Sequence, residues 1–377
     1  MTDVFVYGTL RHPPLLETVL GRASKGLNRI EAQVPGYRVR LVAGQAFPMI
    51  FPDPDGVAKG QLLQGLSKAD IARLDFYEGV FGYGLTSVSV EIETENGSRQ
   101  ALFWWPPENS YEPGDPFDLA GWAAKWGRIN CRAAEEVMSD FGQKTPEEVG
   151  QIYPMIHARA ASWVFARDES PEKPPSGLDE TAVIGHSRQR PYARYFAVEE
   201  QRLQFRKFNG EMSEEVLRAA FVSPDAALVL PYDARRDRVL LLEQFRMGPW
   251  VRGDHCPWQL EPIAGRVDPG ETPEDCARRE AREEAGLELQ ALELIHRGYP
   301  SPGCMSEYFH IYLGLADLPD QVAGVAGVDT EQEDIRGHIL SFDNAMEMLD
   351  AGQLRVTPMA LALVWLARNR DRLRANA

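Results

Sequence analysis

Between Gly265 and Leu287 the sequence reads GRVDPGETPEDCARREAREEAGL, and four of its glutamates are spaced to do chemistry. Glu271 stands after Gly265 and five intervening residues. Seven more separate it from Arg279 and Glu280, and Glu283 and Glu284 complete the set. On a helix, Glu280 and Glu284 are four apart and share a face, and Glu283 is three from Glu280. Like charges at that spacing repel, and helix propensity does not ask for them. A hard divalent cation offsets the repulsion, because Mg2+ takes carboxylate oxygens and keeps waters for a phosphate substrate. The bland alternative is a solvated acidic helix face.

The elements that must position these acids are legible around them. Thr272 is a good N-cap, Pro273 suits the first helical position, and Asp275 sits where a capping partner belongs. Gly286 stands where a C-cap glycine belongs. A helix is therefore expected over Pro273 to Ala285. Upstream, Arg194 to Phe208 alternates as strand, Asn209-Gly210 signals a hairpin, and Val216 to Phe221 leads on. Ala226 to Pro231 and Val239 to Leu242 are continuous apolar strands with a turn at Asp233 to Asp237. Trp258 to Gly265 runs directly into the acidic segment, and Thr357 to Leu373 reads as a C-terminal helix. Strands packed around the acidic helix make an α/β/α sandwich.

The 23-residue window matches the Nudix box at every fixed position, so this half of the chain resembles a Nudix hydrolase. The segments FNGEMSEEVLR and ALVLPYDARRDRVLLLEQFR, the entry Glu261-Pro-Ile-Ala-Gly265 and the turn Ser301-Pro302-Gly303 narrow the resemblance to the bacterial ADP-ribose pyrophosphatase branch. The segment Thr330-Glu331-Gln332-Glu333-Asp334-Ile335 resembles that branch's acidic catalytic loop. The resemblance implies Mg2+ bound by the Ala264 carbonyl and the Glu280 and Glu284 carboxylates, with Glu283 assisting the catalysis. It implies that Arg279 orients the helix acids through Glu271, and that Glu331 is the base that activates water, with Glu333 the alternative. It further implies that Arg246 contacts the diphosphate and that Pro302 lines the substrate. Arg218 and Glu261 would hold the adenosine end, Arg218 reaching across from a second subunit of an intertwined homodimer. The products from ADP-ribose would be AMP and ribose 5-phosphate.

The chain has 377 residues, enough for two or three domains. It carries 56 acidic against 40 basic residues, a formal net charge of -16. That argues against a bulk nucleic-acid or anionic-membrane binder, but not against a phosphate substrate met by metal. Cys131, Cys256, Cys276 and Cys304 form no CxxC pair, so a zinc knuckle or disulfide framework is not expected and a reducing cytoplasm is the easier reading. MTDVFVYGTL lacks the features of a signal peptide, and no apolar run reaches membrane-spanning length.

Near the start, Val4 to Tyr7 reads as a strand ending at Gly8-Thr9-Leu10, with a helix from about Pro14 to Leu20. A glycine turn between strand and helix exposes backbone N–H groups that suit an anionic group. VYGTLR here and Leu74-Asp75-Phe76-Tyr77-Glu78-Gly79 later resemble the gamma-glutamylcyclotransferase-like (AIG2-like) family. That resemblance implies a pocket lined by Tyr7, Gly8, Thr9 and Leu10, with Glu78 as acid/base while a substrate's alpha-amine attacks its own gamma-amide and releases 5-oxoproline. A carboxyl in a partly apolar cleft is raised toward neutrality, which suits that role. Helices are expected over about Leu119 to Phe141 and Thr145 to Phe165, and Trp122, Trp126, Ile129 and Ala133 form an apolar stripe along the first.

The expected fold class is α/β with two domains. A small mixed β-barrel with helices (residues 1–166) is followed by a proline-rich linker (167–190) and a Nudix α/β/α sandwich (191–377). Two other readings of the second domain are hydrolysis of a different nucleoside diphosphate sugar and a nucleotide-binding sensor module. The intact Glu280, Glu283 and Glu284 argue against the sensor, which has no need of the full metal set.

Overall fold

The computed structural model describes residues 2–92, 98–106, 111–169, 173–320, 324–326 and 334–375. The chain falls into two compact units, Met1–Ser170 and Pro171–Ala377.

In the first unit, strand β1 (Thr2–Val6) alternates: Val4 and Val6 join a core shared with helices, while Phe5 joins a second, separate core. A 3-10 turn, Thr9–Arg11, leads into α1 (Pro13–Leu20), which opens with two prolines and closes on the left-handed Gly21. The long hairpin β2 (Asn28–Val42) and β3 (Pro48–Leu66) precedes α2 (Lys68–Gly79), started by a capping box between Ser67 and Asp70. Strands β4 (Gly84–Ile92), β5 (Ser98–Trp105) and β6 (Pro113–Pro116) follow. The strand order is β3-β1-β5-β4-β2-β6, and β3 pairs with β2 as well, so five strands close into a barrel. It is mixed, because β1 runs parallel to β5. Helices α3 (Leu119–Ser139) and α4 (Pro146–Asp168) complete the unit. Asp118 caps the first, and a Thr145–Glu148 capping box starts the second. The expected stripe is core at Trp122, Ile129 and Ala133, whereas Trp126 is half-buried and stacks on His157.

In the second unit, β7 (Val183–Ala193), β8 (Ala197–Phe205) and β9 (Val216–Val222) form an antiparallel three-stranded sheet. Strand β7 takes up the end of the stretch expected as linker. Its Gly185, Pro191 and charged residues hide a strand whose register β8 sets, with bulges after Gly185 and Gln189. The main sheet holds β10 (Ala226–Asp233), β11 (Arg238–Phe245), β12 (Trp258–Glu261) and β13 (Ile263–Arg266), with the short α5 (Met247–Arg252) between β11 and β12. Then come α6 (Pro273–Ala285), β14 (Ala291–Gly298), β15 (Phe309–Leu315), β16 (Val325–Ala326), β17 (Ile335–Ser341), α7 (Phe342–Asp350) and α8 (Thr357–Ala375). The central order is β14-β15-β10-β11-β17-β16, with β12 on β11 and β13 on β10.

Strands β10 and β11 are buried on both faces, which is why they read as continuous apolar runs. Leu228, Leu230, Val239 and Leu241 face α7 and α8, while Ala227, Val229, Leu240 and Leu242 face α6. This is the expected α/β/α sandwich. Among the described residues no helix is long and apolar enough to cross a membrane.

Candidate active site

Helix α6 begins and ends where the sequence places it. Thr272 Oγ1 accepts the Asp275 N–H at 3.1 Å, and Gly286 closes the helix with φ 61°. The side-chain hydrogen bond runs from the Thr272 hydroxyl to Asp275 Oδ2 at 2.7 Å. Buried Cys276, Ala277 and Ala281 seat one face of the helix on the sheet, and this sets where its acids point.

Two contacts join those acids to the preceding strand. Ala264 on β13 donates its N–H to Glu284 Oε2 at 3.1 Å, and Glu284 is only 3% exposed. A Cβ placed at Gly265 would lie 1.8 Å from Glu280 Oε1, so the close approach of Glu280 to the backbone requires glycine there. Arg279 sits at the centre of the cluster. Its Nε and Nη2 donate to the two oxygens of Glu271 at 2.9 and 3.0 Å. Its Nη1 donates to Glu280 Oε1 at 2.6 Å and Glu283 Oε2 at 3.0 Å, and Nη2 also reaches the Arg266 carbonyl at 3.1 Å. Hydrogen bonding to Glu271 is the chief reason the guanidinium is held protonated well above its ordinary range. Arg279 thus holds three of the four clustered carboxylates.

Carboxylates and a backbone carbonyl are the hard oxygen donors that Mg2+ takes. Among the described residues no three acidic, histidine or cysteine side chains converge as a ready cage. In this arrangement Arg279 Nη1 lies against both Glu280 and Glu283. Glu280 and Glu283 are flexible side chains that share one Arg279 nitrogen, and Glu284 is held at Ala264, so the oxygen donors lie on adjoining turns of one helix and the strand beside it. The residues fit a hard cation.

Arg246 follows β11 and Glu261 ends β12. In the β11–β12 ladder Glu261 stands opposite Leu242 and the Arg246 N–H returns to the Pro257 carbonyl, and the long Arg246 side chain reaches back so that its Nε and Nη2 bind Glu261 Oε1 at 2.8 and 2.6 Å. Burial raises the Glu261 carboxyl, and Arg246 opposes that. Pro302 is exposed in the turn where the Cys304 and Met305 N–H groups return to the Ser301 carbonyl.

Glu307 is an acid the sequence reading missed. Burial raises its carboxyl, Arg246 pulls it down, and the Ser223 hydroxyl donates to it at 3.3 Å. Its position directly after the Ser301–Cys304 turn was the available signal. Arg218 is not brought to this group. It lies exposed on β9, and its Nη1 donates to its neighbour's carbonyl, Leu217, at 3.0 Å. Glu331 and Glu333 lie outside the described residues.

The first unit brings a different set together. Glu78 is the penultimate residue of α2. Its residue as a whole is half-buried, yet burial of its carboxyl pushes the pKa up to about 8. No hydrogen bond or ion pair reaches that carboxyl among the described residues. The phenols of Tyr7 and Tyr83 are both raised, by burial first and then by neighbouring charge, that of Glu78 included. Tyr7 donates to the Trp104 carbonyl at 3.4 Å. The first hydrogen bond of the 3-10 turn is Arg11 N–H to the Gly8 carbonyl, so the N–H groups of Gly8, Thr9 and Leu10 precede it, as at any helix start. The Leu10 side chain is core, and what it offers a ligand is its backbone.

The model for the NUDIX domain matches residues 186–359, and the model for gamma-glutamyl cyclotransferase, AIG2-like, matches residues 4–124. The chain is 36% identical over 198 residues to a protein of Escherichia coli (strain K12) described as ADP-ribose pyrophosphatase, covering 52% of this chain and 93% of that one. A Haemophilus influenzae protein of the same description is 33% identical over 180 residues, covering 47% and 82%. An Escherichia coli (strain SMS-3-5) protein described as GDP-mannose pyrophosphatase is 36% identical over 142 residues, covering 38% and 73%. Among solved structures, a crystal structure of an ADP compounds hydrolase aligns with a TM-score of 0.40 at 20% identity, over 50% of this chain and 95% of that chain.

Proposed function

The chain belongs to the Nudix hydrolases and carries an AIG2-like domain, and from that premise we propose that its second unit hydrolyses the diphosphate of ADP-ribose to AMP and ribose 5-phosphate with Mg2+ bound. The observation that carries this reading is the seating of Glu280 and Glu284 against Ala264 and Gly265. The Ala264 carbonyl, Glu280 and Glu284 hold the ion, with Glu283 assisting. When bound, Mg2+ neutralises diphosphate charge and lowers the pKa of a water. Arg279 keeps the helix acids in place through Glu271. Glu331 takes the proton of the attacking water, with Glu333 the alternative base. Arg246, already oriented by Glu261, binds the diphosphate, and Pro302 lines the substrate. Arg218 meets the adenosine end only from a second copy. Its place on β9, the exposed Ile184 and Tyr192 of the three-stranded sheet and the exposed Tyr195 and Phe196 of the β7–β8 connection favour a homodimer through that sheet. We place the enzyme in the cytoplasm.

The names of the relatives favour ADP-ribose, with GDP-mannose as the competing substrate. The test is product analysis with purified full-length protein, Mg2+ and a panel of ADP-ribose, NADH, ADP-glucose, GDP-mannose and a dinucleoside polyphosphate. AMP and ribose 5-phosphate should appear fastest, from ADP-ribose. A faster reaction of GDP-mannose would sink the substrate assignment, and no turnover of any compound would sink the activity.

The lone, raised carboxyl of Glu78 favours a second reaction in the first unit. Glu78 moves the proton while a gamma-glutamyl substrate's alpha-amine attacks its gamma-amide carbon, closing 5-oxoproline and expelling the amine. Release of 5-oxoproline from gamma-glutamyl amines tests it, and none from any of them would refute it.

A further inference from the structure

Cys276 lies on α6 one turn before Arg279, fully buried, and the reading above does not use it. Its thiol donates to the Arg266 carbonyl at 3.2 Å and to the Gly265 carbonyl at 3.6 Å. Arg279 Nη2 reaches the same Arg266 carbonyl at 3.1 Å and the sulfur at 3.6 Å. A cysteine that merely filled the core would not need carbonyl partners, because valine or alanine packs as well. Here the thiol touches the two peptide groups immediately after Ala264. The Gly265 carbonyl belongs to the peptide plane next to the one that carries the Ala264 carbonyl, and only the two soft dihedrals at Gly265 separate those planes, so holding one restrains the other. Burial pushes the thiol pKa up, which keeps the donating proton in place.

We propose that the Cys276 thiol is a positioning residue for the cation site: by donating to the Gly265 and Arg266 carbonyls it fixes the backbone that presents the Ala264 carbonyl beside Glu280 and Glu284. The inference rests on the divalent-cation reading above. It makes the box helix a two-point clamp on the strand, with the guanidinium of Arg279 at one carbonyl and the thiol bridging two.

The test is direct Mn2+ binding to the full chain, followed by the electron paramagnetic resonance signal of the free ion. Wild type is compared with Cys276→Ser, which keeps a donor, and with Cys276→Ala, which is close to serine in size and lacks one. Cys276→Val fills the position with a slightly larger apolar side chain without the donor and serves where the smaller variant does not fold. Cys276→Ser should bind within about twofold of wild type, and Cys276→Ala and Cys276→Val about tenfold more weakly. Equal Kd values for serine and alanine variants would overturn the donor role. So would a drop in the melting temperature of Cys276→Ala or Cys276→Val with no change in Kd. If wild type itself binds no Mn2+, the cation reading fails and this inference with it, which is a separate result from the variants alone failing to differ.

Discussion

The two candidate sites treat a glutamate in opposite ways. Glu280 and Glu284 belong to a cluster in which Arg279 and a backbone N–H meet the carboxylates. Glu78 faces phenols and no countercharge among the described residues, and burial alone pushes it up to about 8. A carboxylate surrounded by donors stays charged and binds cations. A carboxyl deprived of them is neutral near pH 7 and can exchange a proton there. Residue type is the same in both places, and the partners decide which chemistry it does.

The largest expected effect is at the charged site. Glu280→Gln should lower diphosphate hydrolysis by about a thousandfold or more while the circular dichroism spectrum stays that of wild type. Full activity in this variant would refute the metal assignment. At the other site, Glu78→Gln should lower 5-oxoproline release by roughly a hundredfold or more and leave diphosphate hydrolysis unchanged. If hydrolysis fell as well, the two sites would not be separate in the way described. Smaller again is Gly265→Ala, whose new Cβ would sit 1.8 Å from Glu280 Oε1. Displacing that carboxylate should cost about ten- to a hundredfold in kcat, and wild-type kinetics would mean that Glu280 works from another position.

The pH behaviour sharpens the contrast. A base that must first lose its proton at about pH 8 gives cyclotransferase activity that rises with pH and levels off above that value. An activity flat from about pH 6 to 9 would sink the acid/base role. The stability consequence has a definite sign. The folded-state pKa of Glu78 lies above its ordinary value of 4.5, so the folded state binds the extra proton. Its favourable contribution is complete below about 4.5 and is lost as pH rises to about 8. The melting temperature of the first unit should fall by a few degrees across that window relative to Glu78→Gln, the smallest of these effects.

How much was legible in the sequence follows the range of the interactions. Helix α6 could be read from cap to cap because Thr272, Pro273, Asp275 and Gly286 act on residues within a turn of themselves. The doubly buried β10 and β11 were visible as apolar runs for a similarly local reason. Strand β7 was not, because its pairing with β8 rather than its own composition makes it a strand. Tyr7 and Glu78 came from two short motifs, whereas Tyr83 comes near Glu78 through the turn that ends α2, where its N–H donates to the Glu78 carbonyl at 3.2 Å, and no motif marks it. Glu307 was missed because its meaning depends on Arg246, which lies on another strand's end. Arg218 was named from a motif, and only the fold shows that a single chain leaves it on a separate sheet.

Closure of the barrel has a consequence for how this protein is made. Val4 of β1 pairs with Leu102 of β5, so the earliest of the five barrel strands to be made waits for the last of them. Until Trp105 has emerged, β1 and β4 each present an unsatisfied edge, and Phe5, Val34 and Phe103 cannot share one interior. A nascent chain stalled before Ser98, or a truncation made there, would hold four of the five strands and expose their apolar faces. Such a fragment is a natural client for chaperones, and it would aggregate rather than stand alone as a soluble form of the first unit.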